Sequence, residues 1–144
     1  MSNQVVAITL GRKGSKGVRD KNTMGILGRP AFYYPLLAAK NSKYINKTFV
    51  STDHEDIING AKKMGLSIIT RPDNLCTDKA LFEDALIHAY QKVKKIMEER
   101  PKYVVVLMCN AITISSHLID TAIQMLEENP LADSAVTVSV FNMY

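Results

Sequence analysis

Three glycines and five cationic side chains fall within one short segment, Gly11-Arg-Lys-Gly-Ser-Lys-Gly-Val-Arg-Asp-Lys-Asn22. Gly14 and Gly17 let backbone N–H groups approach phosphate oxygens closely. Arg12 can grip a phosphate through two parallel hydrogen bonds, and Lys21 can set a point charge on a departing pyrophosphate. Asn22 can hydrogen-bond a phosphate or a ribose, while Ser15 and Lys16 complete the turn. The segment carries a net charge of +4, and so does the whole chain. Elsewhere acids and bases cancel. Such a loop is built to hold a polyanion, most simply a nucleoside triphosphate; the alternative is a solvated basic loop.

The elements that position this loop read as a repeated strand–helix pattern. Five apolar runs, Val5–Leu10, Thr48–Ser51, Ser67–Thr70, Tyr103–Cys109 and Ser134–Val140, are mostly β-branched and nearly continuous, as expected of strands covered on both faces. Amphipathic stretches lie between them. One follows Pro30 and runs from about Ala31 to Asn41. A second runs from Glu55 to Met64, capped by Thr52 or Asp53 and ended by Gly65. A third spans about Lys79 to Glu98, with Phe82, Leu86, Ala89, Val93 and Met97 as its inner stripe. A fourth starts near Ser115 or Ser116 and buries Leu118, Ile119, Ala122, Ile123 and Leu126. This alternation predicts a mostly parallel α/β sheet with right-handed crossovers. Ligands in such sheets sit at the carboxyl ends of the strands, where the basic loop begins.

The loop fits neither common nucleotide fingerprint. In GxxxxGK[ST] the lysine and hydroxyl follow the second glycine; here Ser15 and Lys16 precede Gly17. The glycines fall as GxxGxxG, not GxGxxG. The pI near 9.1 could point to nucleic acid. The excess charge, however, sits in one loop rather than along a face, and no repeated aromatic spacing offers base stacking along a strand. No nucleic acid partner is expected. Cys76 and Cys109 lack the spacing of a metal site and are expected as two buried free thiols. No apolar run approaches the roughly 20 residues of a membrane span. The absence of a leader pattern makes the cytoplasm the expected location. His54 and His117 are expected at the surface. His88 is expected as a hydrogen-bonded structural residue. Asn110, at the end of a buried strand, is either a ligand-facing group or a turn residue.

The ordered set of motifs resembles the acylneuraminate cytidylyltransferase (CMP-N-acetylneuraminic acid synthetase) family. Its opening pattern, roughly A-R-G-G-S-K-G-x-x-x-K-N, is matched by Arg12, Gly14, Ser15, Lys16, Gly17, Lys21 and Asn22, with Gly11 in place of the alanine and Lys13 in place of a glycine. Gly28-Arg-Pro30, Ser42-Lys-Tyr-Ile45, Val50-Ser-Thr-Asp53, Arg71-Pro72, Thr77-Asp78-Lys-Ala80, and Asp84 with His88 follow further family patterns in the same order. The resemblance implies a Rossmann-like three-layer α/β/α fold of the nucleotide-diphosphosugar transferase type. It implies transfer of CMP from CTP to an acidic 2-keto sugar, with release of pyrophosphate. By position, Arg12 and Lys21 are the implied catalytic residues. Leu10, Gly11, Arg71 and Ala80 border the base, and the loop backbone holds the phosphates. Asn110 falls in the implied sugar pocket.

The family also implies Mg²⁺ and a homodimer in the full-length protein. Its metal-binding carboxylates and dimerisation arm lie beyond residue 144, so residues 1–144 are expected to be a single nucleotide-binding domain, truncated and inactive alone. Asp53, Asp73 and Asp78 are the nearest acids by topology, and none reads as a metal ligand. Two departures bear on specificity. Where the family has Q-P-T-S-P-L-R, the chain has Met108-Cys-Asn-Ala-Ile-Thr-Ile114. Leu81 and Phe82 replace two small polar residues near the base. Transfer from another nucleotide or to another sugar, and nucleotide binding without catalysis, are the alternatives.

Overall fold

The computed structural model describes residues 3–14 and 17–139. Ser15, Lys16 and the final Val140 lie outside the described residues. The main sheet is built from four parallel strands, β1 (Val5–Gly11), β4 (Ile45–Thr52), β5 (Ser67–Thr70) and β6 (Tyr103–Met108), in the order β5-β4-β1-β6. A two-stranded hairpin, β2 (Gly25–Ile26) with β3 (Arg29–Pro30), follows the basic loop. It turns through Leu27 and Gly28, both at positive φ. The helices are α1 (Tyr33–Lys40), α2 (Glu55–Lys63), α3 (Phe82–Met97) and α4 (Ser116–Glu128).

β1 is buried along its whole length because helices cover both faces of the sheet. Val6, Ile8 and Leu10 point to one face, where α3 supplies Ala85, Ala89 and Val93. Val5 and Ala7 point to the other, against Ala38 and Ala39 of α1 and Ile119 and Ile123 of α4. Helix α2 covers the β4 end of that second face with Ile57 and Ala61, against Phe32, Leu36 and Val50. The packing there is close: a Cβ on Gly60 would lie 2.5 Å from the Phe32 ring. The chain therefore winds from β1 outward through β4 and β5 with α1 and α2 on one face. It then crosses by α3 on the opposite face to reach β6. The winding direction reverses between β1 and β6, which opens a crevice at their carboxyl ends.

The expected three-layer, mostly parallel α/β arrangement is the observed one, and four of the five expected strands form. The fifth does not form over residues 134–139. Val136 and Val138 stay largely exposed, and the segment lies beside β6 and α4 without joining a ladder. A run of β-branched residues becomes a strand only where a neighbouring edge pairs with it. The expected start of α2 is also corrected. His54, not Thr52 or Asp53, is its N-cap, accepting the Asp56 N–H on Nδ1 at 3.2 Å. That role draws the imidazole in from the surface, to 13% side-chain exposure. His117 is exposed, as expected. Cys109 is fully buried but Cys76 only partly, so the expectation of two buried thiols holds for one.

Candidate nucleotide site

A cavity of about 370 Å³ opens in the crevice between the ends of β1 and β6. Leu10 and Gly11 line it from β1, and Met108 and Asn110 from the end of β6. Arg12, Gly17, Lys21 and Asn22 come from the basic loop, Arg71 from the end of β5, and Phe82 and Ala85 from the first turn of α3. Eight of these eleven were expected site residues. Ala80 was expected at the base and does not line the cavity. It sits in a turn in which its N–H bonds to the Thr77 carbonyl at 3.2 Å. Its place is taken by Phe82 and Ala85, because the helix starts at Phe82 rather than near Lys79 and carries its first turn over the strand ends. Gly14 also lies off the lining, at the turn where its φ of +74° favours glycine.

The loop is held by specific bonds. Asn22 is 6% exposed and donates through Nδ2 to the Arg12 carbonyl at 3.1 Å, closing the two ends of the loop on each other. Asp53 accepts the Lys13 N–H at 2.7 Å, tying the loop to the end of β4. Arg12 donates to the Gly14 carbonyl at 2.8 Å and to the Asp78 carboxylate at 2.7 Å. Arg12 is therefore already engaged, half-exposed at the mouth of the cavity, with a carboxylate where a phosphate would compete. Asp53 and Asp78 had no site role in the sequence. No helical or strand periodicity marks a residue that bonds across the fold.

Arg71 is buried, and its guanidinium donates to the Ser51 carbonyl at 3.0 Å and the Ser51 hydroxyl at 3.4 Å. Burial pushes its pKa below the ordinary arginine value, while Cys76 and Asp53 pull the other way. The Val50-Ser-Thr-Asp53 run thus has a local meaning. Ser51 seats Arg71, the Thr52 hydroxyl accepts the His54 N–H at 3.0 Å, and Asp53 seats the loop. Burial also raises the Cys76 thiol to about 11, with Asp53 adding to the rise. His88 departs from expectation. Its Nδ1 is buried without a hydrogen-bond partner among the described residues, and burial, Lys92 and Arg71 together lower its pKa.

Asn110 belongs to the turn after β6, as one of its two sequence readings has it, and it also lines the cavity. Of the two replaced residues before α3, Phe82 lines the cavity and Leu81 does not. Ile114, at the position where the family pattern has arginine, packs into the apolar cluster beneath α4 instead of lining this cavity. Among the described residues, no group of three or more His, Cys, Asp or Glu side chains is placed to hold a metal ion. No helix among them is long and apolar enough to cross a membrane.

A cavity lined by Arg12, Lys21 and Arg71 at the switch point of a parallel sheet suits an anionic ligand. Comparison with known proteins gives the family of the chain. The family model described as "Cytidylyltransferase" matches residues 6–142. An N-acylneuraminate cytidylyltransferase of Escherichia coli O18:K1:H7 is 36% identical over 89 residues, 62% of this chain and 21% of that protein. A Helicobacter pylori protein named pseudaminic acid cytidylyltransferase and UDP-2,4-diacetamido-2,4,6-trideoxy-beta-L-altropyranose hydrolase is 29% identical over 140 residues, covering 96% of this chain and 26% of its own length. The chain thus spans about a quarter of the length of these two curated relatives. Among solved structures, CMP:2-keto-3-deoxy-manno-octonic acid synthetase complexed with CTP superposes with a TM-score of 0.69 at 18% identity, over 89% of this chain and 49% of that one. That likeness is one of fold.

Proposed function

Since the chain belongs to the cytidylyltransferase family, we propose that it binds CTP in the β1–β6 crevice as the nucleotide-binding part of an enzyme that activates an acidic, sialic-acid-like 2-keto sugar. The observation that carries this reading is the convergence of Arg12, Lys21 and Arg71 on one cavity at the switch point. The names of the two relatives supply the sugar class, N-acylneuraminate in one and pseudaminic acid in the other.

In the proposed reaction the anomeric hydroxyl oxygen of the sugar bonds to the α-phosphorus of CTP. The bond from that phosphorus to the bridging oxygen of the β-phosphate breaks. Pyrophosphate leaves, and the hydroxyl proton passes to solvent or a base. Negative charge gathers on the bridging oxygen and the α-phosphate. Arg12 and Lys21 are the cations at the cavity to meet it, and charge stabilisation of this kind lowers the barrier most where the charge develops. Arg12 must first leave or share Asp78. Arg71, fixed on Ser51, serves as a rigid wall at the base end, beside Leu10 and Gly11. Mg²⁺ would neutralise phosphate charge, but the described residues do not form a site for it. On this reading its ligands and a dimerisation arm are supplied from outside residues 1–144, and the reaction runs in the cytoplasm.

Thermal-shift titration tests the nucleotide. CTP should raise the melting temperature of this chain while GTP and UTP fail to, and Arg12→Ala and Lys21→Ala should diminish the CTP shift. In the complete enzyme, the same two substitutions should lower turnover more than they weaken CTP binding. A chain that binds no nucleoside triphosphate at millimolar concentration would end this reading.

A further inference from the structure

The lining of the cavity is chemically mixed. Arg12, Lys21 and Arg71 are cationic; Leu10, Phe82, Ala85 and Met108 are apolar. Phe82 is the first residue of α3 and leaves 40% of its surface exposed; Met108, the last residue of β6, leaves 45%. Ala85, one helical turn on from Phe82, is 3% exposed and packs into the core, so it fixes that face of α3 against β1. Phe82 is therefore carried on a rigid element, with a partly exposed aromatic ring lining a charged cavity and standing outside the core cluster that α3 joins.

We propose that Phe82 is a binding residue that stacks on the nucleobase of the nucleotide, with Met108 adding to the apolar lining. The inference rests on the reading of the site as a nucleoside triphosphate site, and adds a residue and a contact to it. A ring π-face is worth about tenfold in affinity for a base, and it offers nothing to a bare phosphate chain. The same position occupied by a small polar side chain would leave the base only its edge contacts and the Arg71 end of the cavity.

Two probes separate stacking from phosphate binding: CTP, which has a base, and inorganic tripolyphosphate, which has none. By calorimetry on the intact chain, Phe82→Ala should weaken CTP about tenfold and leave tripolyphosphate within about twofold. Phe82→Tyr should restore CTP. Phe82→Leu, which keeps apolar bulk and guards against a folding defect, should still weaken it. The chain contains no tryptophan, so Phe82→Trp adds a single reporter. CTP should quench its fluorescence and tripolyphosphate should not. Equal loss of both ligands in Phe82→Ala, or unchanged CTP binding in both Phe82→Ala and Phe82→Leu, overturns the stacking role while wild-type CTP binding stands. Failure of the wild-type chain to bind CTP overturns the nucleotide reading itself, and the stacking role with it.

Discussion

A methyl group on Gly11 would lie 2.5 Å from the Sγ of Cys109 and 2.7 Å from its Cβ. The last residue of β1 and the first residue after β6 thus meet where only a hydrogen atom fits. The Cys109 N–H also donates to the Leu10 carbonyl at 2.9 Å, so the contact is backed by a backbone bond. These are two of the positions at which the chain departs from the family pattern, which has alanine and proline there. Far apart in sequence, they are neighbours where β1 and β6 end, and Gly11 also lines the cavity between those ends.

Gly11→Ala should therefore cost about 1–3 kcal/mol through overpacking, since Cys109 cannot swing its Cβ away. Cys109→Gly alone should also destabilise, by emptying a buried site. Combined, the two should be less harmful than their sum by at least about 1 kcal/mol, measured as a double-mutant cycle in urea unfolding. Simple additivity would show that the contact does not govern the pair.

Asp53 holds the basic loop through the Lys13 N–H and has no capping role in α2. Asp53→Ala should release the loop and speed tryptic cleavage at its Lys and Arg residues several-fold, with helical content unchanged by circular dichroism. Asp53→Asn keeps an acceptor oxygen and should cleave at close to the wild-type rate. A loss of α2 helicity in Asp53→Ala would return Asp53 to the capping role.

Asp78 pairs with Arg12 at 2.7 Å, so on the proposed reading it competes with a bound phosphate. The pair is partly exposed, so Asp78→Asn should change the melting temperature little. It should strengthen tripolyphosphate binding a few-fold by calorimetry at low salt, with the gain fading as ionic strength rises. Weaker binding would instead make Asp78 the residue that aims Arg12.

Asp120 is a buried carboxylate in α4 that accepts the Ser42 hydroxyl at 2.5 Å and the Lys43 N–H at 3.1 Å. It pins the α1–β4 connection, which explains why serine opens the Ser42-Lys-Tyr-Ile45 run. Asp120→Ala should cost about 2–3 kcal/mol by leaving both donors unpaired, and Asp120→Asn less. Urea unfolding at neutral pH measures it.

Alkaline stability should report Cys109, whose thiol burial pushes up to about 12, with Arg71 opposing. Below about pH 8, under the ordinary thiol pKa of about 8.5, both folded and unfolded states keep the proton, and the contribution is intact. Above that the unfolded state ionises first, so stability falls by roughly 1.4 kcal/mol per pH unit until the folded thiol itself titrates. Cys109→Ala should show a correspondingly shallower decline between pH 9 and 10. Identical slopes would mean that the buried thiol does not set it.

What the sequence determined by itself was local or periodic. β1, β4, β5 and β6 declare themselves by continuous β-branched runs, because a strand covered on both faces has no polar side to show. The basic loop declares itself by a charge density that no packed segment could carry. The tertiary structure decided what depends on two distant segments meeting. Asp53 and Asp78 became loop anchors, Arg71 was seated on Ser51, Phe82 replaced Ala80 on the cavity wall, and Gly11 met Cys109. It also withheld a ladder from residues 134–139, whose alternating valines look like a strand on paper. Side-chain periodicity records which face of an element is buried; it does not record what lies opposite, and every one of these outcomes is set by the opposite partner.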